Sequence, residues 1–428
     1  MTKVVEVLDA IMGSGKSTEI FKWIDSNTDM SFIYVSPNLT EVDVDGRIHK
    51  EVKNVKFYSP NNDDSETKAE SMNKLLKDKK SVACTHKLYL AMDNYSMDLV
   101  SRGNYCVIFD EEINVMSEFT GYSFEDILWL MQEGYITRNE DNGSVVWVKE
   151  DDLLDSNKHC YSYFKNLCDK GSLYITRFDK DSDSAKKVMM ISQVPVKLLE
   201  CASRVIAITY MFKGSMLDSF LKLKGFESKP FTDVQVTMRK PSYYKNLITL
   251  IPPDSKTKSM SLSSSWWFNK ATGEDVIAVK NYILRNARKY AGTPDNLLFT
   301  LPKDRVKDLN KHKSTKTVNP IGFVYHKNEE GEKVHNWLAA QTRATNDYGE
   351  KSTMIHCYNR FPIHTVTCYL QDYKQPMDKD VFALSELLQW SFRGCVRNDK
   401  PMVLCCASQR MYDLMQSWLN DEFIIEEV

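Results

Sequence analysis

The sequence lacks several features that would each place it in a particular class of protein. It has no apolar run near the roughly 20 residues that a helix needs to span a bilayer, so we expect no membrane-spanning segment. Its ten cysteines include no CxxC pair, and several lie in apolar, strand-like runs, which is typical of reduced, cytosolic proteins and matches no zinc pattern. No signal peptide precedes the first strand-like run, so we expect a cytoplasmic location.

The sequence also lacks a strong net charge. Its formal charge is −2 and its pI is near 6.5, so any surface for nucleic acid must be a local track of lysines and arginines. This balance neither requires nor excludes such a partner. The length of 428 residues is too great for one ordinary core and favours two domains.

Short apolar runs alternate with polar or helical stretches, which predicts parallel sheets covered by helices. An acidic, aromatic and turn-rich stretch interrupts this alternation and predicts an insertion at about 117–193. We therefore predict an α/β chain with a first lobe over 1–243, which contains the insertion, and a second lobe over 244–428. Strands are expected at 3–8, 31–35, 82–85, 105–109, 205–208, 247–251, 296–300, 354–357 and 402–404, and helices at 16–24, 275–290 and 383–392.

The segment AIMGSGKST, residues 10–18, predicts a phosphate-binding loop between a strand and a helix, although alanine holds the place of the first glycine. Gly13 and Gly15 allow backbone N–H groups to turn toward phosphates, Lys16 can reach the β and γ oxygens, and Ser17 can bind Mg²⁺. The alternative is a chance match in a loop. The residues expected to bind the nucleotide are Met12, Gly13, Ser14, Gly15, Lys16, Ser17 and Thr18.

An apolar run over 105–109 ends in Asp110, Glu111 and Glu112, as expected of the second acidic motif of a P-loop ATPase. Asp110 would join Ser17 in holding Mg²⁺, and Glu111 would orient or deprotonate the attacking water. The alternative is an acidic strand end at the surface. The sequence has no Asn-Lys-x-Asp motif for reading guanine, which favours ATP over GTP.

The predicted amphipathic helix that starts at Ala383 is expected to end with Arg393 and Arg397, four residues apart and on one side. An arginine from the opposite lobe can compensate charge on the γ-phosphoryl group and raise the rate by about 10³ to 10⁵. It would also make hydrolysis depend on closure of the cleft. The alternative is a pair of solvated arginines, or arginines paired with surface carboxylates.

These motifs resemble, in their order, those of the superfamily 2 helicases, and more narrowly the compact DEAD-like helicases of bacteriophages. The resemblance covers nearly the whole chain. It implies two RecA-like lobes with ATP and Mg²⁺ between them, and Gln389 joins Lys16, Asp110, Glu111, Arg393 and Arg397 as a catalytic residue. The matching segments are 12–18 (motif I), 34–43 (Ia), 83–87 (Ib), 110–113 (II), 208–211 (III), 343–348 (V) and 389–397 (VI).

The resemblance also implies a nucleic-acid partner. One group of residues would touch the backbone of a single strand, and a second group would couple that strand to the nucleotide. There is no room before Val4 for the adenine-reading Q motif of DEAD-box RNA helicases, which favours DNA over RNA. The first group is Ser36, Pro37, Thr85 and His86, and the second is Thr209 and Asn346.

The preferred interpretation is an ATP-dependent DNA helicase or translocase that acts on single-stranded or branched DNA in phage replication or recombination, in the host cytoplasm if phage-encoded, with replication or recombination proteins as further partners. Three alternatives stay open. They are an RNA helicase, a packaging-type ATPase, which should carry a C-terminal nuclease with clustered carboxylates, and an ATP-switched clamp that does not unwind. The insertion would shape the strand exit or form a wedge.

Two further groups have open interpretations. Trp266 and Trp267 are either a surface for stacking bases or a pair of core residues. The cluster of Lys303, Arg305 and Lys307 either meets phosphates or begins a solvated helix.

Overall fold

The computed structural model describes residues 3–62, 65, 67–149, 158–179, 187–306, 325–327, 331–342 and 347–425. Within these ranges every helix is too short or too polar to cross a membrane. The strands are β1 (Val4–Asp9), β2 (Phe32–Ser36), β3 (Phe57–Tyr58), β4 (Ser81–Thr85), β5 (Cys106–Asp110), β6 (Met116–Glu118), β7 (Ile136–Arg138), β8 (Val145–Trp147), β9 (Leu173–Asp179), β10 (Lys187–Gln193), β11 (Arg204–Thr209), β12 (Glu227–Pro230), β13 (Ile248–Ile251), β14 (Leu297–Thr300), β15 (Tyr325–Lys327), β16 (Lys333–His335), β17 (Thr353–His356) and β18 (Met402–Cys406).

Many of the described helices begin after a polar residue whose side chain accepts a backbone N–H of the first turn. Three of them, the fourth, seventh and twelfth, have capping boxes, formed by Thr67 with Glu70, Ser123 with Asp126, and Thr272 with Asp275. The helices are α1 (Lys16–Ser26), α2 (Leu39–Val42), α3 (Arg47–Glu51), α4 (Lys68–Lys77), α5 (His86–Leu90), α6 (Asn94–Gly103), α7 (Phe124–Gln132), α8 (Lys158–Asp169), α9 (Lys197–Glu200), α10 (Met216–Leu223), α11 (Pro241–Lys245), α12 (Gly273–Asn286), α13 (His364–Asp372), α14 (Lys379–Ser391) and α15 (Gln409–Leu419).

The first lobe is built on a parallel sheet of seven described strands in the order β12-β1-β11-β5-β2-β4-β3. The central strands are short runs of Val, Ile, Phe, Tyr, Ala and Cys that are buried on both faces, as expected for a sheet covered by helices. Because the strands are parallel, their carboxyl ends meet at one edge. Five adjacent strands end there in a polar residue: Asp9, Thr209, Asp110, Ser36 and Thr85.

The second lobe has its own parallel sheet, in which the four described strands have the order β13-β18-β17-β14. Helix α14 packs its apolar side into the core of this lobe, where Leu384, Leu387 and Trp390 are fully buried. The last strand of the first sheet ends at Pro230, and the first strand of the second sheet begins at Ile248. The predicted boundary between residues 243 and 244 lies between them.

The residues between β5 and β11 include a small folded unit with its own core. Strands β6, β10 and β9 form an antiparallel sheet, and β7 pairs with β8 in a hairpin. Ile127, Leu130 and Phe164 are fully buried beside this sheet. Within the turn-rich stretch of the sequence, residues 139–144 form the turn between β7 and β8, and residues 180–184 lie outside the described residues.

The insertion also contacts the second lobe through α13. The Thr365 hydroxyl of α13 donates a hydrogen bond of 2.6 Å to Glu118 of β6. The Tyr369 ring packs edge-on against Tyr174 of β9, with ring centroids 5.9 Å apart. The insertion therefore touches both lobes.

The prediction that one helix would carry both arginines is wrong. Helix α14 ends at Ser391, so Arg393 follows the helix, and Arg397 lies in a separate 3₁₀ turn, Cys395–Asn398. Gly394 separates the two segments at a crowded position, because a Cβ atom there would lie 2.8 Å from the carbonyl oxygen of Lys351. The chain therefore reaches the opposite lobe through a turn.

Candidate nucleotide site

Residues 10–15 form a loop that joins the end of β1 to the start of α1. The Ala10 N–H donates to the Thr209 carbonyl, at 3.1 Å, and ties the loop to β11. Gly13 and Gly15 have φ angles of 80° and 84°, a region that favours glycine. The loop therefore wraps around the N-terminus of α1, where unpaired N–H groups and the helix dipole favour an anion.

The Lys16 ammonium group lies inside this loop. It donates to the carbonyls of Ala10 and Ile11, the second at 3.0 Å. Burial lowers the pKa of Lys16 to about 8, although the nearby carboxylates of Asp110 and Asp9 act in the opposite direction. A buried cation on a glycine-rich loop at a helix N-terminus is suited to binding phosphate.

Asp110 ends β5 and has both carboxylate oxygens in contact with hydroxyl groups. Ser17 donates to Oδ1 at 3.2 Å, and Tyr34 donates to Oδ2 at 2.6 Å. The two residues predicted to bind Mg²⁺, Ser17 and Asp110, are therefore in direct contact. Hard oxygen donors of this kind suit Mg²⁺, which is usually held by one or two protein groups together with substrate phosphates and water.

Glu111 adopts an unusual backbone conformation, with φ of 70°. A non-glycine residue in this region costs about 1 to 3 kcal/mol and marks a position that the surrounding structure constrains. Glu111 and Glu112 both line the cleft between the lobes. Glu112 also accepts the Leu217 N–H, at 3.0 Å, near the start of α10.

Two arginines of the second lobe reach the first lobe. Arg393 is 7% exposed, and its Nη2 lies 3.9 Å from Oε1 of Glu111. Arg397 lies against the loop, because its Cγ would be 3.4 Å from a Cβ atom added at Gly13. One cleft is thus lined by all six residues predicted to be catalytic: Lys16, Asp110, Glu111, Gln389, Arg393 and Arg397.

The residues predicted to bind the nucleotide contribute in different ways. Met12, Lys16 and Ser17 line the cleft. Gly13, Ser14 and Gly15 belong to the turn of the loop. The Thr18 hydroxyl accepts a hydrogen bond of 2.8 Å from Arg47, so it is already engaged by a side chain of the same lobe.

Arg47 and Glu41 also line the cleft. Arg47 belongs to no predicted motif, and Glu41 lies in the segment that resembles motif Ia, although no role was predicted for it. Arg47 forms an ion pair with Glu51 on the same helix, and its guanidinium lies over the Phe21 ring at 5.2 Å. Burial, and then the charge of Asp110, raise the pKa of Glu41. Arg47 could not be distinguished in the sequence from other charged residues in a polar connection.

Asp9 is a further residue for which the sequence predicted no role. Its two carboxylate oxygens accept the N–H groups of Met211 and Phe212, at 2.8 and 2.9 Å. Met211 has a positive φ of 63°, so Asp9 stabilises a strained turn directly after Thr209. The sequence did contain a signal for Asp9, because it is a polar residue at the end of a buried strand, immediately before the glycine-rich loop.

The residues predicted to touch nucleic acid lie at two different places in the structure, the cleft and the start of α5. Ser36 and Thr209 are buried and line the cleft between the lobes, and Pro37 follows Ser36. Thr85 caps α5 by accepting the Leu88 N–H, at 3.3 Å, and His86 is the first residue of that helix. The structure therefore places Ser36 in the cleft rather than on an exposed strand surface. Asn346 lies outside the described residues.

The structure gives positions for the two tryptophans and for part of the basic cluster whose roles the sequence left open. Trp267 is fully buried in the core of the second lobe, and Trp266 is nearly so. Arg305 donates to the Trp267 carbonyl, and its guanidinium lies over the Phe268 ring at 5.6 Å. The tryptophans are therefore core residues, and Lys307 lies outside the described residues.

Comparisons with known proteins agree with this architecture. The YonV C-terminal Rossmann-like domain family matches residues 242–419. The SPbeta prophage-derived uncharacterized protein YonV of Bacillus subtilis (strain 168) is 26% identical over 431 residues, which cover 98% of this chain and 99% of that protein. A solved structure of XPD in the apo state matches with a TM-score of 0.53 and 14% identity, over 98% of this chain and 95% of that one. This chain shares the fold of XPD. The structure of S. tokodaii Xpd4 matches with a TM-score of 0.48 and 11% identity, over 99% and 95% of the two chains.

The likeness to apo XPD confirms the predicted α/β class with two lobes and parallel sheets flanked by helices. The YonV match begins at residue 242, close to the predicted start of the second lobe. The prophage relative agrees with the expected relationship to bacteriophages. At these levels of sequence identity, the structural likeness concerns the fold alone.

Proposed function

We propose that this protein is an ATP-dependent nucleic-acid motor, with DNA as the preferred partner, that hydrolyses Mg-ATP between its two lobes. The observation that carries the proposal is the approach of Arg393 to Glu111 across the cleft, at 3.9 Å. A nucleotide bound at Lys16 would lie between an acidic residue of one lobe and an arginine of the other. This arrangement suits phosphoryl transfer, which needs positioning and charge compensation more than covalent chemistry.

Each group in the cleft has a distinct chemical task in this proposal. The loop N–H groups and Lys16 bind the phosphates, and Ser17 and Asp110 hold Mg²⁺, which when bound neutralises phosphate charge. Glu111 orients the attacking water and accepts its proton. Arg393 and Arg397 stabilise negative charge that develops on the transferred group. Because the arginines belong to the second lobe, opening of the cleft removes them, and hydrolysis becomes coupled to lobe movement.

An exposed edge of the second lobe is suited to a single strand. Phe361 follows β17 and is 46% exposed, and the Arg410 guanidinium lies over its ring at 4.4 Å. Phe268 is 45% exposed and has Arg305 over its ring. Exposed aromatic rings beside arginines can stack bases and contact phosphates, a mode of binding that tolerates any sequence. We propose that this edge binds the strand that stimulates hydrolysis.

The test is steady-state ATP hydrolysis by the wild type and by Lys16→Ala and Arg393→Ala, each with single-stranded DNA, duplex DNA, single-stranded RNA or no nucleic acid. Arg285→Ala serves as the matched control, because Arg285 is an exposed arginine of the second lobe that pairs with Asp254. We expect DNA to stimulate the wild type and the control, and both cleft variants to be inactive.

The other outcomes separate the alternatives. Stronger stimulation by RNA than by DNA would favour an RNA helicase. Hydrolysis that no nucleic acid alters would favour a packaging-type or partner-driven ATPase. DNA binding that depends on ATP, without unwinding, would favour a clamp. An active Lys16→Ala variant would contradict the proposed nucleotide site itself.

A further inference from the structure

Tyr34 makes a contact that its position in the sequence does not suggest. It lies in β2, within the apolar run FIYVS, and its side chain is fully buried. Its ring packs edge-on against Phe21 of α1, with centroids 5.3 Å apart. Its hydroxyl donates a hydrogen bond of 2.6 Å to Oδ2 of Asp110, which ends the adjacent strand β5. A core tyrosine therefore reaches the carboxylate expected to hold Mg²⁺.

This contact divides the two oxygens of Asp110 between two partners. Oδ2 accepts from Tyr34, and Oδ1 accepts from Ser17 at 3.2 Å. A hydrogen bond to an ionised carboxylate is short and strong, and it restricts rotation of the carboxylate about its terminal torsion. With Oδ2 held, Oδ1 remains directed at Ser17 and the phosphate-binding loop. The packing of the Tyr34 ring fixes the direction of its hydroxyl.

We propose that Tyr34 is a positioning residue for Asp110, and that its hydroxyl keeps Oδ1 oriented for Mg²⁺ held together with a nucleotide. The inference rests on the proposed function, because it requires that the cleft bind Mg-ATP. Groups that hydrogen-bond to metal ligands typically alter metal affinity about 10-fold to 100-fold when they are removed. Tyr34 itself touches neither the metal nor the nucleotide in this proposal.

The competing explanation is that Tyr34 serves only to pack the core. Tyr34→Phe separates the two roles, because it keeps the ring and its contact with Phe21 and removes only the hydroxyl. Tyr89→Phe is the matched control: Tyr89 is also fully buried, and its hydroxyl donates a 2.6 Å hydrogen bond to the Leu198 carbonyl. Tyr89 does not line the cleft, so its variant measures the effect of losing a buried hydroxyl elsewhere.

The experiment measures Mn²⁺ binding by electron paramagnetic resonance in the presence of a non-hydrolysable ATP analogue, for the wild type and both variants. Analogue binding without metal, in EDTA, and thermal unfolding are measured in parallel. For Tyr34→Phe we expect Mn²⁺ affinity to fall about 10-fold, while metal-free binding of the analogue stays at the wild-type level. The Mg²⁺ concentration for half-maximal hydrolysis should rise by a similar factor. Tyr89→Phe should retain wild-type Mn²⁺ affinity.

Two results would overturn the inference alone: wild-type Mn²⁺ affinity in Tyr34→Phe, or an equal loss of affinity in both variants. A wild-type protein that binds the analogue in EDTA but gains no Mn²⁺ site would contradict the metal-binding role proposed for Ser17 and Asp110, and the inference with it. A wild type that binds no analogue under any condition would instead overturn the proposed function, and the inference with it. Thermal unfolding distinguishes a misfolded variant from one with a displaced carboxylate.

Discussion

Arg393 of the second lobe approaches Glu111 of the first, with 3.9 Å between Nη2 and Oε1. The arginine follows the end of α14, and the glutamate follows the end of β5 in a strained backbone conformation. The lobes therefore place opposite charges on the two sides of the cleft that contains Lys16. This relationship makes the cleft sensitive to the relative position of the lobes.

Replacement of Glu111 tests its proposed role in orienting water. For Glu111→Gln we expect the turnover number to fall by about 10² to 10⁴, because the amide cannot accept a proton, while nucleotide affinity changes little. The measurements are steady-state hydrolysis and equilibrium binding of a fluorescent ATP analogue. Glu350→Gln, at an exposed site in the second lobe, is the control. Near-normal turnover in Glu111→Gln would exclude this glutamate as the base.

The pKa of Lys16, lowered to about 8 from an ordinary value of 10.5, predicts that nucleotide binding depends on pH. Bound phosphate favours the charged ammonium, so above pH 8 binding must take up a proton, and affinity should fall as the pH rises above 8. Equilibrium titrations between pH 7 and 9.5 measure this loss. Calorimetry in two buffers of different ionisation enthalpy should show proton uptake at pH 9. Affinity that is constant over this range would contradict the prediction.

The burial of His356 predicts that the free energy of unfolding also depends on pH. It is fully buried beside Trp390, and burial, followed by the charge of Arg360, lowers its pKa from 6.5 to about 3. Between these values the unfolded chain binds more protons than the folded one, so stability is lost as pH falls from 6.5 toward 3. Urea unfolding at several pH values measures this loss, and the free energy of unfolding should depend less steeply on pH in His356→Leu than in the wild type. His364→Gln, at an exposed histidine, should keep the wild-type slope.

The contact between the insertion and α13 is testable through Thr365. Thr365→Val removes the hydrogen bond to Glu118 and keeps the shape of the side chain, so we expect a loss of about 1 kcal/mol in the free energy of unfolding. If the insertion must move with the second lobe, unwinding should fall more than ATP hydrolysis. Thr367→Val is the control on the same helix, because its hydroxyl donates only to the His364 carbonyl. Equal effects of the two variants would indicate that the contact carries no coupling.

Trp267 and Phe268 are neighbours in the sequence, and we expect the first to stabilise the core and the second to bind nucleic acid. Trp267 is fully buried, so Trp267→Ala should lower the free energy of unfolding by about 3 to 5 kcal/mol. Phe268 is 45% exposed, so Phe268→Ala should leave stability nearly unchanged and weaken stimulation by single-stranded DNA. Denaturant unfolding and DNA-stimulated hydrolysis measure the two effects. Unchanged stimulation in Phe268→Ala would exclude this ring from the strand surface.

Much of this protein could be predicted from local patterns in its sequence. The buried runs of β2, β5 and β11 are visible because both faces of a covered parallel sheet are apolar. The glycine-rich loop and the acidic strand end are equally local, because a few adjacent residues determine their backbone geometry. The class of fold, the two lobes and most residues now found in the cleft follow from such segments and from the order in which they occur.

Tertiary structure alone decided which distant residues complete the site. Arg47 lines the cleft, the Tyr34 hydroxyl reaches Asp110, and Asp9 binds the turn after Thr209. Strand order and helix packing bring these side chains to the site. The glycine after Arg393 is also required by a distant segment, because the Lys351 carbonyl leaves no room for a Cβ atom at Gly394. Local sequence determines the conformation of a strand or a loop, whereas contacts between segments far apart in the chain depend on how the whole core packs. The glycine-rich loop can therefore be predicted from the sequence, whereas the cleft that surrounds it depends on the fold.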